Sequence, residues 1–329
     1  MHHFKGSFIV TLVGLVWALF IGGMTALYIV TILAILEISL SFDNAVVNAK
    51  VLESMEKKWQ DRFVTYGIPV AVFGMRFLFP IVIVAIASGM GVWQTFNVAL
   101  DNPEAYNNIL DSVKSLIYAF GGAFLLMVFL NFILDDEREE HWIGLIEESE
   151  TLHKIAAFPF AAMIIAVLTG VLISVIARDI EITIAYTIGI ILYLMIHSLD
   201  KLLHVDGIRS GLMGLLYLEI LDASFSFDGV IGAFALSSNI FLIMIGLGIG
   251  AMFVRSLTLF MLEKKTLTIY RYLEHGAHYA IFVLALIMFI KIFNDHISEL
   301  LVGTVGVGFI LTSAYYSIRA NQQEAMVSP

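Results

Sequence analysis

The chain has 329 residues, of which 60% are apolar and 14% are charged, and its mean hydropathy is +0.91. A soluble protein needs more polar surface, because one core cannot hide such an excess of apolar side chains. The net charge of −10 argues against nucleic acid as a partner, and the lack of cysteine excludes disulfides and thiolate metal sites. We therefore expect an all-α polytopic membrane protein.

Apolar stretches bounded by charged or turn residues predict about ten transmembrane helices, since a span needs about 20 residues. In chain order these stretches are 7–22, 25–52, 62–89, 115–134, 156–177, 182–199, 211–236, 239–263, 274–293 and 299–318. The first stretch ends at Gly22-Gly23 and forms either a separate span or the start of the next helix. We expect no cleavable signal peptide, because the apolar sequence continues without a small-residue cleavage site.

The basic residues predict the orientation in the membrane. If the loop from Lys50 to Arg62 is cytoplasmic, thirteen of the 18 basic residues lie inside and only Lys114, Arg178 and Lys291 lie outside. The other two, Arg76 and Arg255, fall within predicted spans. This sorting predicts ten spans with both termini cytoplasmic, in a cell membrane that we take to be the bacterial inner membrane.

One loop differs in character, because the stretch 135–154 is rich in Asp and Glu. We expect a solvated cytoplasmic linker here, because most charge runs are solvated, and a weak cation-attracting patch is the alternative. Glu274, His275 and His278 lie together at one predicted helix end, where we expect water to reach them.

An acidic segment occurs twice in the chain. The sequence Glu-Ile-Ser-Leu-Ser-Phe-Asp-Asn from Glu37 returns as Asp-Ala-Ser-Phe-Ser-Phe-Asp-Gly from Asp222. The helix that follows each copy also repeats, with Arg76-Phe-Leu in the first and Arg255-Ser-Leu in the second. The copies lie in the second and the seventh predicted spans, five spans apart, so they have opposite orientations. The sequence thus predicts two inverted repeats of about five helices, 1–155 with the acidic loop and 156–329, in one membrane domain.

Inverted repeats are typical of secondary transporters, which bind substrate near the midplane, often on interrupted helices. In a straight helix Glu37, Ser41, Asn44 and Asn48 form one polar stripe. The second stripe contains Asp222, Ser226 and Gly229, with Glu219 one turn earlier. Asp43 and Asp228 lie about 120° away on an ideal helix, so we expect local unwinding near the serines to bring the acids together.

Charges within the bilayer need partners. At about 2.5–3.5 kcal/mol each, five acids and two arginines would cost roughly 17–25 kcal/mol unpaired, more than a typical folding stability of about 5–15 kcal/mol. The residues concerned are Glu37, Asp43, Glu219, Asp222, Asp228, Arg76 and Arg255. A structural ion-pair core is one interpretation, but the excess of three acids favours a divalent cation plus protons.

The ligand types favour a hard cation, because carboxylates, the Asn44 amide and serine hydroxyls are oxygen donors suited to Mg²⁺, Ca²⁺ or Mn²⁺. Metal ligands are expected at Glu37, Asp43, Asn44, Glu219, Asp222 and Asp228. Supporting roles are expected for Ser41, Asn48, Ser226, Arg76 and Arg255.

Both motifs resemble the acidic signatures of TerC, the tellurium-resistance-associated membrane proteins. Glu37-x-Ser-Leu-Ser-x-Asp43-Asn44 matches the first signature, and Glu219-x-x-Asp222-x-x-Phe225-x-x-Asp228 matches the second. The resemblance implies membership of the LysE-type exporter group, a role in manganese export or supply, and metal or proton binding at these residues. Gly229, where family members often carry serine, and the extra spans indicate a divergent branch.

The leading hypothesis is a proton-coupled exporter of a divalent cation, Mn²⁺ in the first place, and not an enzyme. One alternative is a non-transporting scaffold that loads metal onto partner proteins. Another is an intramembrane aspartyl protease, which the motifs fit badly, because no Gly-x-Gly-Asp pattern precedes either of them. We expect no tightly bound cofactor. The expected partners are the lipid bilayer, the cation and protons, and a homodimer is allowed.

Overall fold

The fold was analysed in a computed structural model, which describes residues 3–136, 138, 140–202, 211–237, 239–294, 297 and 299–327. These residues form α-helices and one π-helix, with no strand among them. The helices of the first half are α1 (Lys5–Leu40), α2 (Phe42–Glu53), α3 (Lys57–Pro69), the π-helix π1 (Val70–Leu78), α4 (Phe79–Ser88), α5 (Val92–Asp101) and α6 (Pro103–Ile133). The remainder are α7 (Gly144–Glu147), α8 (Glu150–Ala156), α9 (Ala161–Ala177), α10 (Ile180–Leu202), α11 (Gly211–Leu236), α12 (Ile240–Glu263), α13 (Thr266–Ile269), α14 (Leu273–Lys291) and α15 (Glu299–Val327).

The predicted all-α polytopic membrane fold is confirmed. Within the described part of the chain, six helices are long and apolar enough to cross a membrane, or up to eight if each of two bent helix pairs is one span. The bent pairs are residues 76–88 with α5, at 116°, and α8 with α9, at 96°. This number is below the predicted ten partly because α1 is counted once, although it covers two predicted spans. The inverted repeat and the division at residue 155 stay predictions.

Helix α1 reverses direction at Gly22-Gly23. Its 36 residues would extend about 54 Å at 1.5 Å per residue, far more than the roughly 30 Å of a bilayer core. Gly22 and Gly23 have non-helical dihedral angles, and Gly23 has φ 65°, a left-handed value that glycine adopts at no steric cost. The reversal therefore needs no strained side chain.

Contacts with α12 give the directions of the two arms of α1. In the first arm, Ser7 donates a hydrogen bond to the Met252 carbonyl at 2.9 Å, and Gly14 packs against Ile249. In the second arm, Val30 packs against Gly246, and Glu37, seven residues later, packs against Gly250. The first arm thus runs antiparallel to α12 and the second runs parallel to it, so residues 5–21 and 24–40 form a helical hairpin.

Helix α6 forms the centre of the main core, between α10 and α14. Tyr118, Phe124 and Leu125 of α6 are fully buried. In contrast, α9 exposes Val171 and Leu172, together with other aliphatic side chains, which in a membrane protein contact lipid. The acidic motif segments lie on the other side of this core, where α2, π1, α11 and α12 pack together.

Candidate functional site

The first motif lies at a break between two helices. Helix α1 ends at Leu40, Ser41 has φ −106° and ψ 17°, and α2 begins at Phe42. The Ser41 hydroxyl donates a hydrogen bond to Glu37 Oε1 at 2.9 Å. The expected interruption near the serines is therefore present in the first copy. In the second copy α11 continues as helix from Gly211 to Leu236, so no such break occurs there.

The first-half arginine binds acids from both halves of the chain. Arg76 Nη2 donates to Glu37 Oε1 at 2.5 Å, and Arg76 Nη1 donates to Asp222 Oδ2 at 2.8 Å. Arg76 is carried by π1, and π-helical turns are rare and frequent at functional sites. A single guanidinium thus joins the first motif to the second.

The two motifs also contact each other directly. Asn44 Nδ2 donates to Asp222 Oδ1 at 2.5 Å, although 178 residues separate them in sequence. Glu37, Asn44, Arg76 and Asp222 are exposed by 1%, 0%, 2% and 6%. We call these four residues the central cluster. It brings together four of the residues that the sequence assigned to a cation site or to its support.

A second arginine pairs with the next acid of α11. Arg255 Nη2 lies 3.5 Å from Glu219 Oε1, and its guanidinium lies 3.7 Å from the centre of the Phe63 ring. Arg255 also donates to the Phe63 carbonyl at 3.3 Å. Glu37, Asp222 and Glu219 are therefore each paired with an arginine in this structure, as in the structural ion-pair interpretation of the sequence.

Several buried polar atoms around the central cluster have no hydrogen-bond partner within the described part of the chain. They are Asn44 Oδ1, Asn48 Oδ1, Arg76 Nε and Glu219 Oε2. A cavity of about 10 Å³ lies beside two of these residues, Asn48 and Arg76, and is also lined by Asp222, Arg255, Phe63 and Thr258 among others. Such a volume holds about one water molecule, so the site has unused acceptor atoms and a small polar space.

Asp43 occupies a separate position. Its Oδ1 accepts a hydrogen bond from the Asn44 N–H at 3.0 Å, and its charge lies in the first turn of α2, where the helix dipole stabilises an anion. Asp43 lines another cavity of about 10 Å³, with Ser39 and residues of α14 and α15. Unwinding at Ser41 thus leaves Asp43 facing α14 and α15, whereas Glu37 and Asn44 join the central cluster.

The remaining sequence-predicted residues are less fully placed. Asn48 lines the cavity beside Arg76, while the side chains of Ser226 and Asp228 lie outside the described residues. A Cβ at Gly229 would lie 2.9 Å from Glu37 Oε2, so glycine makes room for that carboxylate. Within the described residues, no group of three or more His, Asp or Glu side chains is arranged to hold a metal ion. The metal-ligand assignments stay predictions.

The acidic loop differs from the expected solvated linker. Glu147 is 1% exposed, and its carboxylate accepts hydrogen bonds from the Trp142 N–H at 3.1 Å and the Tyr279 hydroxyl at 3.1 Å. His275 Nε2 lies 3.2 Å from Glu147 Oε2, and Arg138 Nη2 lies 3.8 Å from the same oxygen. The loop is therefore docked on the first turns of α14. Side chains of α14 replace the water molecules that would otherwise donate hydrogen bonds to Glu147.

Two consequences follow for residues near this docked loop. Burial by itself raises the pKa of Glu147, but the hydrogen bond and charge of His275, the Trp142 N–H and the charge of Arg138 outweigh it and lower the pKa to about 2.

His275 and His278 are buried, so the expectation that water reaches them is wrong. Sequence reasoning missed this cluster because Glu147 and His275 are 128 residues apart and no motif links them.

Comparison with known proteins gives one match. A family model with the description "Protein of unknown function (DUF475)" matches residues 42–324, which include Asp43, Asn44, Arg76 and the whole second motif. No curated protein and no solved structure matches the chain. Because the matched residues make up most of its 329 residues, the chain belongs to the DUF475 family.

Proposed function

We propose that this protein is a transporter that exports a divalent metal cation, with Mn²⁺ as the first candidate, and that the central cluster forms part of its binding site. The observation that carries the proposal is the meeting of the two acidic motifs in the buried interior, through the Asn44–Asp222 hydrogen bond and the Arg76 bridge. Buried ionisable groups in membrane helices are costly and mark ion pathways.

The charges around the site favour a divalent cation. The described side chains of the two motif regions comprise four acids, of which Glu37, Glu219 and Asp222 pair with arginine and Asp43 faces α14 and α15, and two arginines, Arg76 and Arg255. When all are ionised, four negative and two positive charges leave a net charge of −2. One divalent cation cancels this charge, whereas the ion pairs alone do not.

The donor atoms and the family resemblance favour manganese among divalent cations. Carboxylate and amide oxygens suit hard cations such as Mg²⁺, Ca²⁺ and Mn²⁺, and Mg²⁺ sites commonly use one or two carboxylates with water as further ligands. Glu37, Asp222 and the unpartnered Asn44 Oδ1 fit this donor set. The resemblance of both motifs to TerC signatures favours manganese as the cation and export as the direction of transport.

Proton coupling follows from the same chemistry. Carboxylates must be deprotonated to bind a metal, so metal binding and proton release are linked. We assign the protein to the bacterial inner membrane with both termini cytoplasmic, since thirteen of its 18 basic residues then lie on the inside. In the exporting direction, protons entering from outside would release the metal there.

The test is Mn²⁺ flux into proteoliposomes that contain a metal-quenched dye and the purified protein alone. Wild type should quench the dye, and the variants Glu37→Gln, Asp43→Asn, Asp222→Asn and Asp228→Asn should each reduce the initial rate at least tenfold. Glu181→Gln, an exposed residue in the first turn of α10, is the matched control and should transport like wild type. Undiminished flux in Glu37→Gln and Asp222→Asn would rule out the proposal, and Mn²⁺ binding without flux would favour the scaffold alternative.

A further inference from the structure

In this structure Arg76 lies where the proposed function requires a cation. Its guanidinium bonds both Glu37 and Asp222, which are the two carboxylates of the central cluster. A divalent ion beside Arg76 would place three positive charges against two negative ones, in a region where low dielectric strengthens repulsion. Cation binding at these carboxylates therefore requires another acceptor for the guanidinium.

Glu219 has the position and the free acceptor atom for this role. It precedes Asp222 by three residues on α11, and residues three apart on a helix are neighbours on one face. Its Oε1 lies 3.5 Å from Arg255, whereas its Oε2 is buried without a hydrogen-bond partner in the described part of the chain. The Glu219 carboxylate also interacts electrostatically with Arg76.

A small polar cavity lies beside Arg76. It is also lined by Asp222 and Arg255, so it adjoins both arginines that pair with acids of α11. Asn48 also lines it and is 4% exposed, and its Oδ1 has no described partner. The backbone at Arg76 is π-helical, an uncommon conformation that is frequent at functional sites.

We propose that Glu219 is the second acceptor of Arg76, to which the guanidinium moves when a cation takes its place between Glu37 and Asp222. Arg76 is then a tethered competitor of the cation, and Glu219 is a positioning residue that acts through Arg76. This proposal rests on the proposed function, and it replaces direct metal ligation by Glu219 with a role in exchange.

The test is a double-mutant cycle on Mn²⁺ affinity, measured calorimetrically on the purified full chain. Glu219→Gln should weaken Mn²⁺ binding by about tenfold while Arg76 is present, because the guanidinium loses its second acceptor. Arg76→Gln should strengthen binding, and adding Glu219→Gln to Arg76→Gln should change the affinity by less than twofold. Glu181→Gln is the matched control and should leave the affinity unchanged.

The outcomes separate the two proposals. An equal loss of affinity from Glu219→Gln with and without Arg76 would overturn the exchange, because Glu219 would then act on the cation directly. Failure of wild type to bind Mn²⁺ would overturn the proposed function and the exchange with it.

If Arg76→Gln does not fold, infrared difference spectra with isotope-labelled arginine give the second readout. Adding Mn²⁺ to wild type should shift a guanidinium band, and the shift should be absent in Glu219→Gln. The same shift in both proteins would contradict the exchange.

Discussion

Arg76 determines the state of the central cluster because its one side chain serves two acids from distant parts of the sequence. Glu37 and Asp222 are both buried, and each bonds a different nitrogen of the guanidinium. Removing one member of a buried ion pair leaves an uncompensated charge, which costs more than the pair itself contributes. Arg76 is therefore as important for stability as for the proposed transport.

Arg76→Gln should destabilise the protein by about 3–5 kcal/mol, the range for breaking a buried ion pair. Thermal unfolding in detergent measures this as a lower Tm. Arg319→Gln is the matched control, because Arg319 is exposed on α15, and its Tm should stay close to wild type. Equal Tm values for the two variants would show that the Arg76 network adds nothing to stability.

The position of Glu37 also depends on a glycine of α12. A Cβ at Gly250 would overlap Glu37 Cβ and Cγ and lie 3.1 Å from the Ala34 carbonyl. Gly250→Ala should therefore cost about 1–3 kcal/mol, as overpacked cores do, and lower the Tm. At Gly308 of α15 a Cβ meets nothing within 4 Å, so Gly308→Ala should leave the Tm unchanged or raise it, because alanine favours helix. A lower Tm in Gly308→Ala alone would contradict this packing.

The sequence predicted which residues belong to the central cluster, but it did not predict which of them pair with each other. The polar stripe placed Glu37, Ser41 and Asn44 on one face, and the structure brings them together around Arg76 and Asp222. The double role of Arg76 was not predictable, because it depends on the π-helical backbone of residues 70–78. Hydrophobic periodicity does not encode that conformation.

At the scale of elements, two interruptions shape the site: the break at Ser41 and the reversal at Gly22-Gly23. The reversal was left open by the sequence, since a short apolar stretch followed by two glycines fits either a bend or a new span. Both arms contact the same part of α12, so residues 5–40 form a hairpin and not one straight helix. We predict that both arms cross the membrane, which places the tip of the hairpin on the opposite side from the loop after α2.

Labelling of single introduced cysteines tests this hairpin, and the chain has no native cysteine to interfere. In intact cells a membrane-impermeant thiol reagent should label Met24→Cys, at the exposed hairpin tip, but not Lys58→Cys in the first turn of α3. Permeabilised cells supply the control, since both positions should then react. Equal labelling of both positions in intact cells would mean that residues 5–40 do not form a hairpin of two spans.

Helix prediction succeeded best for long apolar stretches. The stretches predicted at 211–236 and 239–263 correspond to α11 and α12. In contrast, α5 and α8 were not predicted, because ten and seven residues are too few to span a bilayer alone. Both belong to sharply bent pairs, and such geometry depends on tertiary packing.

In the molecule as a whole, the docked loop is connected through α14 to a helix that carries the first motif. Glu147 bonds the first turns of α14, and the adjacent Glu274 pairs with Lys50 of α2 at 3.1 Å. Helix α2 carries Asp43 and Asn44, so α14 lies between the loop and the first motif. The sequence did not predict this arrangement, because it depends on donors distant along the chain.

Docking of the loop should depend on pH in one direction. The pKa of Glu147 is lowered in the folded state to about 2, from an ordinary value of 4.5. A lowered carboxylate pKa stabilises the fold above about pH 4.5, by roughly 3 kcal/mol, and this stabilisation is lost as the pH falls towards 2. The tryptophan fluorescence, to which Trp142 of this loop contributes, should therefore change as the pH falls below about 4.5. At neutral pH, tryptic cleavage within residues 135–154 reports whether the loop is docked.

Glu147→Gln should increase this cleavage at neutral pH, because a neutral amide loses the charge interactions with His275 and Arg138. Glu148→Gln is the matched control, since the neighbouring Glu148 is exposed, and its cleavage should equal that of wild type. Equal protection in all three proteins at neutral pH would mean that Glu147 does not hold the loop.

The proposed function requires that the two acidic motifs, where they meet, bind a divalent cation. The most direct measurement is the metal content of the purified protein after equilibrium dialysis against Mn²⁺, by elemental analysis. The account predicts about one Mn²⁺ per wild-type chain, held by carboxylate and amide oxygens, and no retained metal in Asp222→Asn, with Glu181→Gln equal to wild type. Wild type without Mn²⁺, or the same content in Asp222→Asn, would contradict the account.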